Sequence, residues 1–205
     1  MDYPRNNSHP TKPGRKIVSL DTCLKNIGSL PSGSSRVVFT NGCFDILHKG
    51  HIHLLYEARK LGDYLVVGLN TDNSIRQIKG PNRPVIPEAS RAEVLSAVEY
   101  VDSVVFFEEP TPYGLIEQIK PDILVKGADY EGKQIPGEDV VKKYGGKICL
   151  ISLINNHSTT IFAKALSTPS DGKKEKFKKK THKDIFIKKE DAEAAWLQTQ
   201  KIESR

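Results

Sequence analysis

The sequence holds little that would commit it to a membrane or to an oxidising compartment. No apolar run approaches the ~20 residues of a membrane span. The opening stretch MDYPRNNSHPTKPGRK has no apolar centre, so no signal peptide is expected. Cysteine is scarce: Cys23, Cys43 and Cys149 are odd in number and far apart. That excludes a disulfide framework and suits a reducing cytoplasm. Histidine and cysteine do not recur at the spacing of a zinc site, and no protein metal ligands are expected. Charge of one sign is also missing from most of the chain. Of the net +6, the stretch from Ser167 to Arg205 holds 11 Lys and Arg against 7 Asp and Glu, so the first 166 residues are nearly neutral. Within that tail Lys173 to Lys189 is lysine-rich and poor in aromatics. Such a run is commonly a solvated extension; nucleic acid, acidic lipid or an acidic protein are the alternatives, and nucleic acid is not expected as a partner.

What remains is 205 residues with 38% hydrophobic and 27% charged side chains, enough for one well-filled globular domain with appendages. Residues 1–33 read as an N-terminal extension with a short helix, carrying Leu20, Leu24 and Ile27 on one face. Residues 34–166 read as the folded domain and 167–205 as the basic tail, with a possible helix over Glu190 to Ile202. Short apolar runs alternate with helical periodicity along the domain. Val37–Phe39, Tyr64–Leu69, Val101–Phe107, Ile123–Val125 and Lys147–Leu153 read as strands. Helices are expected from Ile52 onward, after Pro87, after Thr111-Pro112, over Gly137–Tyr144 and after Ser158. Ile75 to Val85, dense in Gly and Pro, reads as a loop. The alternation predicts an α/β fold: a Rossmann-like open parallel sheet of five strands flanked by helices, with a basic C-terminal extension.

The stretch with chemistry in it is Val37 to His51, VVFTNGCFDILHKGH. A strand feeding a helix through a Gly-containing turn aims backbone N–H groups and the positive end of a helix at the mouth of the sheet, an arrangement suited to phosphate. His48 and His51, with Gly50 between them, add imidazole N–H donors at the same end. A helix-start glycine beside two solvated histidines is the bland alternative. With 6 His and 15 Gly in the chain, an H-x-G-H arises by chance only about 0.01 times, and the strand–turn–helix context favours a nucleotide phosphate site. Polar groups also follow the later strands: Asn70-Thr71-Asp72 after the second, suited to capping a helix or touching a ribose or base, and Lys126 to Gly132 after the fourth. Loops after successive strands converge on one edge of a parallel sheet, which makes a single active site of them.

GCFDxLHxGH resembles the signature of the nucleotidyltransferase superfamily that includes the cytidylyltransferases and the pantetheine-phosphate, nicotinate-mononucleotide and heptose-phosphate adenylyltransferases. Further stretches are similar to the D-glycero-β-D-manno-heptose 1-phosphate adenylyltransferase domain of ADP-heptose synthase, over about Lys16 to Leu166. They are Asn70-Thr71-Asp72, Lys79-Gly80 with Arg83-Pro84-Val85, Arg91, Val101-Asp102-Ser103-Val104, Lys126-Gly127-Ala128-Asp129-Tyr130, Gly145-Gly146 and Ser158-Thr159-Thr160.

The resemblance implies adenylyl transfer from ATP to heptose 1-phosphate, with His48, His51 and Lys79 catalytic. It implies nucleotide contacts from Asn41, Gly42, Cys43, Phe44, Asp45, Gly50, Asn70, Asp72, Arg91, Ser158, Thr159 and Thr160. It implies acceptor contacts from Arg83, Lys126, Gly127, Asp129 and Tyr130. Arg91, in the first turns of its helix, sits where a cation is unfavourable and a partner anion would repair the mismatch. Magnesium is expected on the ATP phosphates with Asp45 nearby, and the protein is expected to be a homo-oligomer, a dimer. No kinase-like half accompanies the motifs, so a separate kinase is expected to supply the sugar 1-phosphate. Two other readings stay open: a cytidylyltransferase acting on glycerol 3-phosphate or a similar alcohol, and a non-catalytic nucleotide-binding module recruited through its basic tail.

Overall fold

The computed structural model describes residues 12–33 and 35–152. Ser158, Thr159 and Thr160, the helix expected after them and the basic tail lie outside the described residues. By compactness the chain divides into Met1–Ser167 and Thr168–Arg205, and everything described belongs to the first unit.

The elements run α1 (Leu20–Gly28), β1 (Val37–Gly42), α2 (Lys49–Arg59), β2 (Tyr64–Asn70), α3 (Asp72–Lys79), α4 (Glu88–Ala97), β3 (Ser103–Phe107), α5 (Tyr113–Ile119), β4 (Ile123–Gly127), a 3-10 turn over Ala128–Tyr130, α6 (Glu138–Lys143) and β5 (Lys147–Ile151). All strand pairings are parallel, in the order β3-β2-β1-β4-β5. The expected five-stranded parallel sheet is therefore present, and its order reverses between β1 and β4. Ligands of open α/β sheets bind at such a reversal, beyond the carboxyl ends of the strands.

Both faces of the sheet are covered, so the strands are apolar on both sides rather than alternating with polar residues. Leu65, Val67 and Leu69 of β2 pack with Leu54, Leu55 and Ala58 of α2 and with Ala92 and Leu95 of α4. Val66, one register step away, joins Leu115, Ile116 and Ile119 of α5 and Val140 and Val141 of α6 on the opposite face. Leu20, Leu24 and Ile27 of α1 pack against that second cluster, as their spacing predicts. Gly68 stands opposite Asn41 in the β1–β2 ladder. A Cβ there would lie 2.8 Å from the Phe39 ring and 3.1 Å from the Asn41 Cβ, so the glycine makes room for a side chain that reaches the end of the sheet.

One expected loop is a helix. Residues from Ile75 to Lys79 belong to α3, because Thr71 caps it by accepting from the Ser74 N–H at 3.2 Å and Ile75 is fully buried. The Gly and Pro punctuation begins only at Gly80, whose φ of 91° ends the helix. Lys79 thus occupies the last turn, where a cation complements the helix dipole. A second shift carries β4 through Lys126 and Gly127, which are buried strand residues rather than the start of a loop. Asp102 is structural: its carboxylate accepts from the Leu65 N–H at 2.8 Å and pairs with Arg59 at 3.2 Å.

Candidate active site

A cleft of about 440 Å³ opens over the carboxyl ends of β1 and β4, at the reversal of strand order. Asn41, Gly42, Cys43 and Phe44 form its floor, and His48, Gly50 and His51 line it from the start of α2. Asn70 and Lys79 reach it from the β2–α3 side. Lys126, Gly127, Asp129 and Tyr130 close it from the β4 side. These are loops and strand ends separated by up to ninety residues in the chain, gathered by the parallel topology.

His48 has two duties. Its backbone is extended at the N-cap of α2, and its Nδ1 accepts from the Gly50 N–H at 3.1 Å. An accepting Nδ1 carries no proton, so the ring hydrogen sits on Nε2. The His51 N–H, in turn, donates to the His48 carbonyl at 2.9 Å. The first turn of α2 therefore satisfies more of its own amides than a bare helix start would, and much of the donor capacity passes to the imidazoles. The two rings stack with centroids 3.9 Å apart and planes at 28°.

Burial, reinforced by the neighbouring His48 and the Lys79 ammonium, pushes the His51 imidazole down to about 4; only the backbone at Ile46 works the other way. His51 is thus uncharged in the free protein. A folded-state value below the ordinary 6.5 means that the unfolded chain takes up the proton first. Stability is expected to fall as pH drops from 6.5 towards 4, and the His51 ring resonances should stay flat between pH 5 and 8 in an NMR titration of the free protein. A normal titration near 6.5 would contradict the burial.

Phe44 shapes the wall beside this pair. Its φ is 43°, a left-handed backbone that costs a bulky residue about 1–3 kcal/mol. Its ring is 5.1 Å from that of His51, and a Cβ on Gly42 would sit 3.2 Å from the same ring. The sequence carries no sign of this strain.

Opposite the histidines, Lys126 is only 4% exposed. Its ammonium donates to the Asn41 Oδ1 and stands 5.2 Å from the centre of the Tyr130 ring. Desolvation lowers Lys126 to about 8, with Asp129 opposing. Burial likewise raises the Tyr130 phenol, helped by Asp129 and Cys43. A cleft that holds a desolvated cation and a pair of imidazole donors is built to receive negative charge. Asn70 is buried, donating from Nδ2 to the Ser74 Oγ at 2.9 Å, with the Cys43 Sγ 4.0 Å from its Oδ1.

Four residues expected at the ligands do not line the cleft: Asp45, Asp72, Arg83 and Arg91. Arg91 does have the partner anion that its place on α4 demands, and it is Asp72, 2.7 Å from Nη2. Asp45, expected beside magnesium, accepts instead from the Val85 and Ile86 N–H groups at 2.8 and 2.9 Å and pairs with Arg83 at 3.0 Å. Among the described residues no three His, Cys, Asp or Glu side chains gather as a metal site, and Asp129 supplies the one carboxylate on the cleft lining. Ser158, Thr159 and Thr160 lie outside the described residues. Conversely, Thr40, Leu54, Ile78, Thr111 and the prolines 110, 112 and 136 line the cleft although no motif contains them. Their residue types read as core or turn, and nothing in the sequence marks them as lining a site.

A family model described as cytidylyltransferase-like matches residues 39–203. The chain is 49% identical over 152 residues to the bifunctional protein HldE of Magnetococcus marinus, covering 74% of this chain and 31% of that one. To the protein of the same name from Syntrophotalea carbinolica it is 56% identical over 124 residues, covering 60% and 25%. It therefore spans about a third of the length of the curated relatives it matches. Among solved structures it is similar to a lipopolysaccharide core biosynthesis protein from Thermoplasma volcanium, at 32% identity and a TM-score of 0.50, covering 59% of this chain and 98% of that one.

Proposed function

The chain belongs to the cytidylyltransferase-like family, and on that footing we propose that it transfers AMP from ATP to a sugar 1-phosphate, giving an ADP-sugar and pyrophosphate. The acceptor is heptose 1-phosphate, by similarity to relatives named HldE and to a lipopolysaccharide core biosynthesis protein. One observation carries the reading: the stacked His48–His51 pair shares a cleft with Lys79 and the buried Lys126, at the reversal of strand order.

In this reaction a sugar-phosphate oxygen attacks the α-phosphorus of ATP in line, and the bond to the bridging oxygen of pyrophosphate breaks. The nucleophile is already an anion, so no general base is needed. Catalysis consists of positioning two polyanions and stabilising charge as it spreads over phosphate oxygens. The His48 Nε2–H, with its tautomer fixed by the helix cap, and His51 donate to the triphosphate. Lys79, together with Ser158 and Thr159, holds the departing pyrophosphate. Asn41, Gly42, Cys43, Phe44, Gly50 and Asn70 contact the nucleotide, while Lys126, Gly127, Asp129 and Tyr130 form the acceptor wall. Among the described residues a single carboxylate lines the cleft, which fits a cation carried mainly by the phosphates, as magnesium is on ATP; it would neutralise charge on the leaving group, with Asp129 the side chain available to it. The protein acts as a homodimer in the cytoplasm; among the described residues no helix is long and apolar enough to cross a membrane.

A pyrophosphate-release assay that crosses ATP and CTP with a panel of sugar 1-phosphates and glycerol 3-phosphate tests the proposal. ATP with a heptose 1-phosphate is expected to give the highest kcat/KM. Preference for CTP with glycerol 3-phosphate would replace it with the cytidylyltransferase reading, and tight nucleotide binding without turnover on any pair would leave a binding module.

A further inference from the structure

The charged residues that stand behind the cleft form a connected device. Arg91, whose side chain is fully buried, donates from Nη1 to the Cys43 carbonyl at 2.6 Å, from Nε to the Ile86 carbonyl at 2.9 Å and from Nη2 to Asp72 at 2.7 Å. Asp45, equally buried, holds the Val85 and Ile86 amides and the Arg83 guanidinium. Cys43 and Asp45 are the two neighbours of Phe44. The chain is thus anchored on each side of this strained link, from the same segment of residues 83–91.

We propose that Arg91 and Asp45 are positioning residues: gripping the backbone before and after Phe44, they hold it left-handed and so fix where His51 and His48 stand. The inference rests on the reading of those imidazoles as phosphate donors. Nothing local favours the positive φ of Phe44, since the residue is bulky and has no polar side chain to bond its own backbone. Strain of this kind persists only where the surroundings over-determine it, and here the surroundings are these two clamps. Released from them, Phe44 would relax to negative φ, and its ring would swing from between Gly42 and His51. The stacked pair would then lose the wall that buries it. Through Asp72 the same guanidinium also ties down the first turn of α3, whose last residue is Lys79. One buried cation thereby sets the spacing of the donors contributed by α2 and α3.

Arg91→Lys tests this, because an ammonium keeps a charge beside Asp72 but cannot serve three acceptors in three directions. In the folded variant, without any substrate, the ring resonances of His48 and His51 are expected to move, and His51 to begin titrating towards the ordinary histidine range. In the pyrophosphate assay kcat is expected to fall by about 10- to 100-fold, the scale of a displacement near 1 Å at a reacting centre. Wild-type imidazole spectra with wild-type kcat would overturn the proposal. So would a lost kcat with unmoved imidazoles, which would put Arg91 against the substrate instead. Should Arg91→Lys not fold, Asp45→Asn keeps an acceptor for the Val85 and Ile86 amides while removing the charge opposite Arg83, and the same two readouts decide. The spectra are recorded on the free protein, so an error in the proposed reaction would leave that half of the test standing.

Discussion

His48→Asn is expected to fold with α2 intact and to lose 10²- to 10³-fold in kcat for pyrophosphate release. The magnitude is that of removing one preorganised donor from a site where negative charge develops, about 3–4 kcal/mol. Asparagine is the informative replacement because His48 does two things at once. Its Nδ1 caps α2 through the Gly50 N–H, and asparagine is among the best residues for that role. What asparagine does not supply is an N–H at the position of the imidazole Nε2. His48→Ala would remove cap and donor together, and with them about 0.5–2 kcal/mol of stability, so its loss of activity would be ambiguous. Urea denaturation alongside steady-state kinetics separates the two. If His48→Asn turned over within a few-fold of the wild type, the imidazole would be a cap and nothing more, and the proposed chemistry would lose its centre.

The contrast between the two sides of the turn after β1 explains what could be read in the chain. The order of strands and helices follows from periodicity, and the H-x-G-H pair follows from motif and context; both are local properties of the sequence. Side-chain direction around an irregular turn is not. Phe44 faces the cleft, whereas Asp45 turns its carboxylate back to the Val85 and Ile86 amides, and no pattern in GCFDIL tells these apart. Asp72 and Arg91 look like ligands for a nucleotide because they are charged and stand beside motif residues. They meet each other because β2, α3 and α4 bring their ends together, a long-range fact. Lys79 reads as part of a loop because the Gly-Pro punctuation after it is stronger than the Thr71 cap before it. The apolar lip made by Ile78 and the prolines at 110 and 112 carries no mark separating it from core or turn.

The largest effect opposite in sign to its stability consequence is expected at Lys126. Lys126→Met should raise the unfolding free energy at pH 7 while reducing kcat/KM by 10²-fold or more. A lysine held near 8 rather than at its ordinary 10.5 is a charge retained against desolvation, at roughly 3 kcal/mol for the ionised form. Its bond to Asn41 returns part of this. The sign follows from the direction of the shift. Between pH 8 and 10.5 the unfolded chain holds the proton and the folded one does not, so wild-type stability should rise with pH across that window. Methionine fills a similar volume without the charge, so in the variant that rise should be absent and the curve flatter. A bound phosphate does for the wild type what high pH does, by making the ammonium favourable where it stands; substrate affinity should therefore weaken above pH 8, as the lysine discharges. Chemical denaturation from pH 7 to 10.5, with substrate titrations over the same range, measures both. A Lys126→Met protein that is less stable than the wild type at pH 7, or that binds and turns over its substrates as well, would show that the ammonium is a structural strut between β4 and Asn41, and the cleft would have to find its second cationic pole elsewhere.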